Sequence, residues 1–156
     1  MIWGLKTLSI FDFWTIEHIL SGLSIGSLVL VNNHKSLGRV FANLKEQVFP
    51  PKKINYLKTK YDLIFVLFLA YLWETFEHYL ETGLLGAKAE YWFAGVEFWP
   101  NRLIADPLML VLGYWIVKKI PKLVWPARVL SLTWLLVHIF IFPDSMYLHT
   151  IFPFHF

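Results

Sequence analysis

The sequence predicts an all-α fold: a polytopic membrane helix bundle with about four transmembrane helices and additional interfacial segments. The 156 residues are 57% hydrophobic and 19% aromatic, which exceeds what a soluble domain of this size buries. Apolar runs of roughly 20 residues, the length that crosses a hydrocarbon core, recur along the chain. Prolines fall mostly at the edges of these runs, where helices begin and end. Residues 1–156 are therefore expected to form a single membrane-embedded helical domain.

The four helices are placed by hydropathy and by the prolines. We expect them at about residues 13–31, 61–81, 101–120 and 126–142. Aromatic-rich stretches at 91–93, 98–99 and 146–156 have the composition of segments that lie at the membrane interface.

Basic residues predict how the bundle is oriented. Eleven lie in the connections between the first and second and between the third and fourth helices, whereas three lie on the opposite side: Lys6, Lys88 and Arg102. The excess of positive charge marks cytoplasmic connections in a bacterial inner membrane. Both termini and the acid-rich ends of the helices are then expected outside. The basic connections are explained by this topological role, so no nucleic-acid partner is expected.

One stripe of the second helix carries the chemistry. Glu74, Glu77, His78 and Glu81 follow the i, i+3, i+4, i+7 spacing, which places them within an arc of roughly 100° on one helix face. Acidic groups inside a membrane span are costly unless they have partners or a task. His18 on the first helix is expected at a similar depth, on a face with small residues that let another helix approach.

These side chains predict a metal or acid–base site on the outer side of the membrane. The chain has no cysteine, so any metal must be held by histidine and carboxylate groups, which suit zinc, manganese or iron. We expect the metal ligands to be His18, Glu74, His78 and Glu81. The expected catalytic residues are Glu74, Glu77 and Asp106. A substrate reaching such a site would be a lipid headgroup or a lipid-linked envelope precursor.

Three short motifs also carry a family resemblance. They are Asp12 with His18 and Gly22, the segment WETFEHYLE with Trp73, Glu74 and Glu77, and the segment NRLIADPLMLVLGY with Asn101, Asp106 and Gly113. Across roughly residues 12–116 the chain resembles small VanZ-like membrane proteins and related bacterial families with WExxE and N-x(4)-D-x(6)-G motifs. VanZ-like proteins are associated with glycopeptide-antibiotic tolerance without a settled biochemical activity. The resemblance therefore implies a fold and a site more than a reaction.

Two other functions fit the same residues. The protein could be a small structural or accessory subunit of a larger membrane complex, with its polar cluster holding the helices together by hydrogen bonds. Alternatively, the carboxylates could relay protons or cations. The cytoplasmic halves of the helices carry no second polar stripe to continue such a path.

Overall fold

The computed structural model describes residues 1–32, 62–93 and 95–148, and over these residues the prediction of an all-helical fold is confirmed. The α-helices are α1 (Phe13–Asn32), α2 (Asp62–Glu81), α3 (Ala87–Phe93), α4 (Asp106–Lys119) and α5 (Val124–Leu136). The basic connection expected between the first two helices and the aromatic tail from residue 149 onward lie outside the described residues.

Two of the predicted helices are extended by turns of other geometry. The helix expected at 101–120 opens with a π-helical turn, Asn101–Ala105, before α4 begins. The helix expected at 126–142 has a short 3-10 turn, Pro121–Leu123, before α5, and it ends in a second π-helical turn, Val137–Ile141. Pro107 lies in the first turn of α4, where a missing N–H costs little.

Two helical stretches are long and apolar enough to cross a membrane, Asp62–Glu81 and Pro121–Ile141. Only 28% and 17% of the residues in their most apolar windows are buried within the protein, so most of this apolar surface faces outward. Such extensive exposed apolar surface is typical of contact with lipid or with a partner. Both stretches therefore have the length and composition of a membrane span, and α1 contributes a shorter apolar stretch, Phe13–Val29.

Helix α1 lies at the centre of the bundle, packed against α4 and α5, while α2 packs on α4 and α1. The contact between α1 and α4 is close because both helices present glycine. A Cβ added to Gly22 would lie 2.0 Å from the carbonyl oxygen of Leu110, and one added to Gly113 would lie 2.2 Å from that of Ile19. Small residues at such positions let two backbones approach. This contact sets the distance between the polar side chains of α1 and α4.

The N-terminal segment, residues 1–12, folds back onto the end of the bundle where α1 begins and α2 ends. The backbone N–H of Phe98 donates to the carbonyl oxygen of Lys6, at 2.8 Å. The Lys6 side chain is only 2% exposed, and its ammonium lies over the rings of Trp14 and Phe93. The side chain of Lys6, which lies outside the helices, is thereby buried in the polar interior.

Candidate functional site

His18 of α1 lies between two carboxylates from different helices. Its Nδ1 lies 3.5 Å from Oε1 of Glu74 on α2, and its Nε2 lies 3.3 Å from Oδ2 of Asp106 at the start of α4. The three residues are 4%, 2% and 0% exposed. Three separate segments of the chain thus bring one imidazole and two carboxylates together in the interior.

Glu77 and Glu97 complete this group, which we call the acidic centre: His18, Glu74, Glu77, Glu97 and Asp106. One ligand atom from each of His18, Glu74 and Glu77 lies within 4.8 Å of the others, and the same holds for Glu74, Glu97 and Asp106. Both carboxylate oxygens of Glu74, Glu77 and Asp106 are buried without a hydrogen-bond partner among the described residues. Buried polar atoms normally have partners, so these oxygens require an explanation.

Beside the acidic centre lies an ion-pair network built on Glu81. This carboxylate accepts hydrogen bonds from Lys6 and Arg102, and its Oε2 also accepts one from the backbone N–H of Glu97 at 3.2 Å. Nη1 of Arg102 lies 2.9 Å from Nδ1 of His78. Two cations therefore already satisfy Glu81, and His78 is directed toward one of them.

Asn101 and Asp12 connect the loops to this interior. The amide of Asn101 donates to Oε1 of Glu97 at 2.8 Å and to Oδ2 of Asp12 at 3.4 Å. Asp12 also accepts from the backbone N–H of Thr15 at 3.1 Å, a capping interaction at the start of α1. Burial raises the pKa of Asp12 to about 6, although this hydrogen bond and Lys6 lower it in part. Burial, with Asp106 and Glu77 nearby, also raises the pKa of Glu97.

Negative groups outnumber positive ones in this interior. Within residues 1–32, 62–93 and 95–148, two basic side chains, Lys6 and Arg102, are buried together with six carboxyl groups: Asp12, Glu74, Glu77, Glu81, Glu97 and Asp106. Burying an uncompensated charge costs several kcal/mol per ion, so the remaining carboxylates must be neutralised by protons or by a bound cation.

The structure brings together part of the residue set predicted from the sequence. Of the predicted metal ligands, His18 and Glu74 lie in the acidic centre, where Glu77 and Asp106 of the predicted catalytic set also lie. His78 and Glu81 are in the neighbouring ion-pair network, and neither is in a candidate metal group of the described residues.

No pattern in the sequence predicts that Glu97 and Lys6 lie in the polar interior. Both lie outside the long helices, so helical periodicity carries no signal for them. The one available hint was that Glu97 precedes Asn101 by four residues.

A cavity and a groove each include one residue of the acidic centre in their lining. A cavity of about 660 Å³ lies between α1, α2 and α5, with a largely apolar lining that includes His18. A smaller groove of about 290 Å³ is lined by Glu74, His78, Arg102 and aromatic residues. The cavity lies within the 300–1,000 Å³ typical of small-molecule sites.

Fold and site together describe a helical protein with two stretches long and apolar enough to span a membrane and a buried histidine–carboxylate cluster next to an apolar cavity. No family model matches the chain, and no significantly similar curated protein or solved structure was found.

Proposed function

We propose that the acidic centre binds a divalent metal ion and acts on the headgroup of a lipid or lipid-linked molecule. The observation that carries the proposal is the set of buried oxygens without partners on Glu74, Glu77 and Asp106, all converging near His18. A cation held by Glu74 and Asp106 would give their oxygens a partner and offset their charge, and it would leave Glu77 beside it as a proton acceptor.

The donor atoms suit a first-row divalent ion. Glu74, Glu97 and Asp106 lie close enough together to offer carboxylate oxygens to one ion, and the imidazole nitrogens of His18 lie 3.5 Å from Glu74 and 3.3 Å from Asp106. Such a mixed set fits manganese, zinc or iron. The network on Glu81 supports the site from outside, since it fixes the end of α2 and the backbone of Glu97.

The arrangement suits metal-assisted hydrolysis or transfer. A bound ion would supply Lewis acidity to a headgroup ester. Glu77 lies beside His18 and Glu74 with both oxygens free to accept a proton, and the ammonium of Lys6 lies 3.9 Å from its Oε1. We assign Glu77 the role of general base, and Glu74 and Asp106 the role of positioning the ion. The cavity beside His18 gives a lipid a way to reach them.

The topology that accompanies this proposal has four membrane spans, formed by α1, α2, α4 and α5 with their flanking turns. The basic connections lie in the cytoplasm of a bacterial cell, both termini lie outside, and the acidic centre opens toward the outer side of the inner membrane. The resemblance to VanZ-like proteins is consistent with a role in the cell envelope. It rests on the short motifs that include Glu74, Asn101 and Asp106.

One observation favours a second function, that of a structural or accessory subunit. Lys6, Arg102 and Glu81 join the N-terminal segment, the π-helical turn and α2 through buried ion pairs. Such a network can hold helices in place without any ligand. On this view the acidic centre is neutralised by protons alone, and the protein binds neither metal nor substrate.

Metal titration followed by a turnover assay tests the proposal. Detergent-purified protein is titrated calorimetrically with Mn²⁺ and Zn²⁺, beside Asp106→Asn and a matched control, Glu90→Gln, which removes an exposed acid on α3. We expect one equivalent bound by wild type and by the control, and at least tenfold weaker binding by Asp106→Asn. Metal-loaded protein in phosphatidylglycerol–phosphatidylethanolamine vesicles should then release a water-soluble headgroup, and Glu77→Gln should bind metal without releasing it. Absence of binding in folded wild type would refute the metal site, and binding without turnover would refute the reaction.

A further inference from the structure

The cavity beside His18 is elongated along one face of α1. Its α1 lining runs from Trp14 through Glu17, His18 and Ser21 to Ile25. At 1.5 Å per residue, these eleven steps span roughly 16 Å, about half the thickness of a hydrocarbon core of about 30 Å. The cavity is thus as deep as one leaflet of the membrane.

The opposite wall comes from α2, and it opens to the surface. Leu72, Trp73 and Phe76 line the cavity and are also 54%, 43% and 48% exposed. A molecule in the surrounding lipid can therefore enter sideways between the helices. The mostly apolar lining and the opening between the helices suit a hydrocarbon chain.

Glu17 and Ser131 form a polar pair in the mostly apolar lining, which also includes His18 and Ser21. The hydroxyl of Ser131 on α5 donates to Oε1 of Glu17, while Oε2 of Glu17 is buried with no partner in the described part of the chain. Glu17 precedes His18 in the chain, so this acceptor lies next to the acidic centre at the same end of the cavity. A carboxyl oxygen without a partner in an apolar cavity is complemented by a hydrogen-bond donor.

We propose that the cavity binds a single hydrocarbon chain of a lipid, and that Glu17 accepts a hydrogen bond from a hydroxyl or N–H group next to the lipid's headgroup. This inference rests on the proposed function only for its orientation, in which the headgroup lies at His18 and the chain extends toward Ile25. Ser131 holds Glu17 in place and is a positioning residue. The site therefore prefers lipids that carry a hydrogen-bond donor where it can reach Glu17, in addition to any chemistry at the headgroup.

A pair of matched lipids tests the inference without metal. Binding of palmitoyl lysophosphatidylcholine, which has one chain and a free hydroxyl beside its headgroup, is measured in detergent with EDTA. The control ligand is the same lipid with that hydroxyl methylated. We expect wild type to prefer the free hydroxyl by roughly tenfold, as one hydrogen bond predicts. Glu17→Leu should bind both lipids equally, and Ser131→Ala should reduce the preference.

A filling substitution tests chain binding separately. Leu135→Trp places a larger side chain in the cavity and should weaken both lipids at least tenfold, whereas Leu108→Trp, at a position that is 53% exposed on α4 and outside the cavity lining, should not. Undiminished binding by folded Leu135→Trp, or equal binding of the two lipids by wild type, would overturn the inference. A third result would also overturn the inference: wild type is a dimer and Leu135→Trp is a monomer. The cavity would then hold part of a second copy of the chain. Because EDTA is present throughout, these results do not depend on the metal site.

Discussion

Replacing Gly22 by alanine should separate α1 from α4 and weaken both the fold and the acidic centre. The new Cβ would lie 2.0 Å from the carbonyl oxygen of Leu110, whereas ordinary contact begins at 3.4 Å, so the helices must move apart by about 1.4 Å. The obstacle is backbone, which cannot rotate away as a side chain can. Overpacking of this kind costs roughly 1 to 3 kcal/mol.

The sign of the change in the free energy of unfolding distinguishes a clash from its absence. Without a clash, glycine to alanine within a helix stabilises by about 1 kcal/mol, so any net destabilisation measures the contact between the helices. Subtracting this gain from the overpacking cost, we expect a net loss of up to about 2 kcal/mol in the free energy of unfolding. The 3.3 Å contact between His18 and Asp106 spans the same two helices, so we also expect Mn²⁺ affinity to fall at least tenfold.

Tryptophan fluorescence during denaturant unfolding in detergent micelles measures the stability change. Gly26→Ala is the graded control, because its added Cβ would lie 2.9 Å from the Cα of Tyr114 and should cost less than Gly22→Ala. A Gly22→Ala protein as stable as wild type, with unchanged metal affinity, would refute the close packing of α1 on α4 and its role in setting the site.

Further predictions concern the loops and the two neighbouring networks. Lys6→Met should lower the free energy of unfolding by about 3 to 5 kcal/mol because it leaves Glu81 short of a buried partner. Adding Glu81→Gln should recover part of that loss, and equal stability of the single and double variants would contradict this. Burial raises the pKa of Asp12 from 3.8 to about 6, so the folded state binds this proton more tightly than the unfolded state. The free energy of unfolding should therefore fall by about 3 kcal/mol as the pH rises from 4 to 6. Asp12→Asn should lose this component of the pH dependence, measured by unfolding at each pH, and an unchanged slope would show that other groups cause it. His78→Ala should retain stoichiometric metal by elemental analysis while His18→Ala loses it, and loss of metal from both variants would favour the ligand set predicted from the sequence.

The helical stripe was readable from the sequence because it depends on one local period. The spacing of Glu74, Glu77 and Glu81 places them on one face, and all three are buried. His78 follows the same spacing, but it lies at the edge of that face, where Arg102 reaches it from the π-helical turn. Periodicity defines a face, and it does not determine which neighbour each residue on that face meets.

The long-range part of the site could not be predicted in the same way. Lys6 and Glu97 reach the interior because two loops pack against each other, with the N–H of Phe98 bonded to the carbonyl of Lys6. No periodic pattern marks such docking. Once Lys6 and Arg102 occupy Glu81, that carboxylate is satisfied, and the oxygens without partners lie one turn earlier on α2, on Glu77, and two turns earlier, on Glu74. This is why the proposed metal position differs from the one expected from sequence alone.

Elemental analysis of detergent-purified protein tests the central claim most directly. Wild type is compared with Glu74→Gln, and the tryptophan fluorescence and unfolding transition of each confirm that both are folded. We predict about one equivalent of manganese, zinc or iron in wild type and a marked loss in the folded variant, since Glu74 belongs to both candidate ligand groups. Absence of metal from folded wild type, even after incubation with these ions, would contradict the claim and leave the acidic centre as a protonated structural cluster.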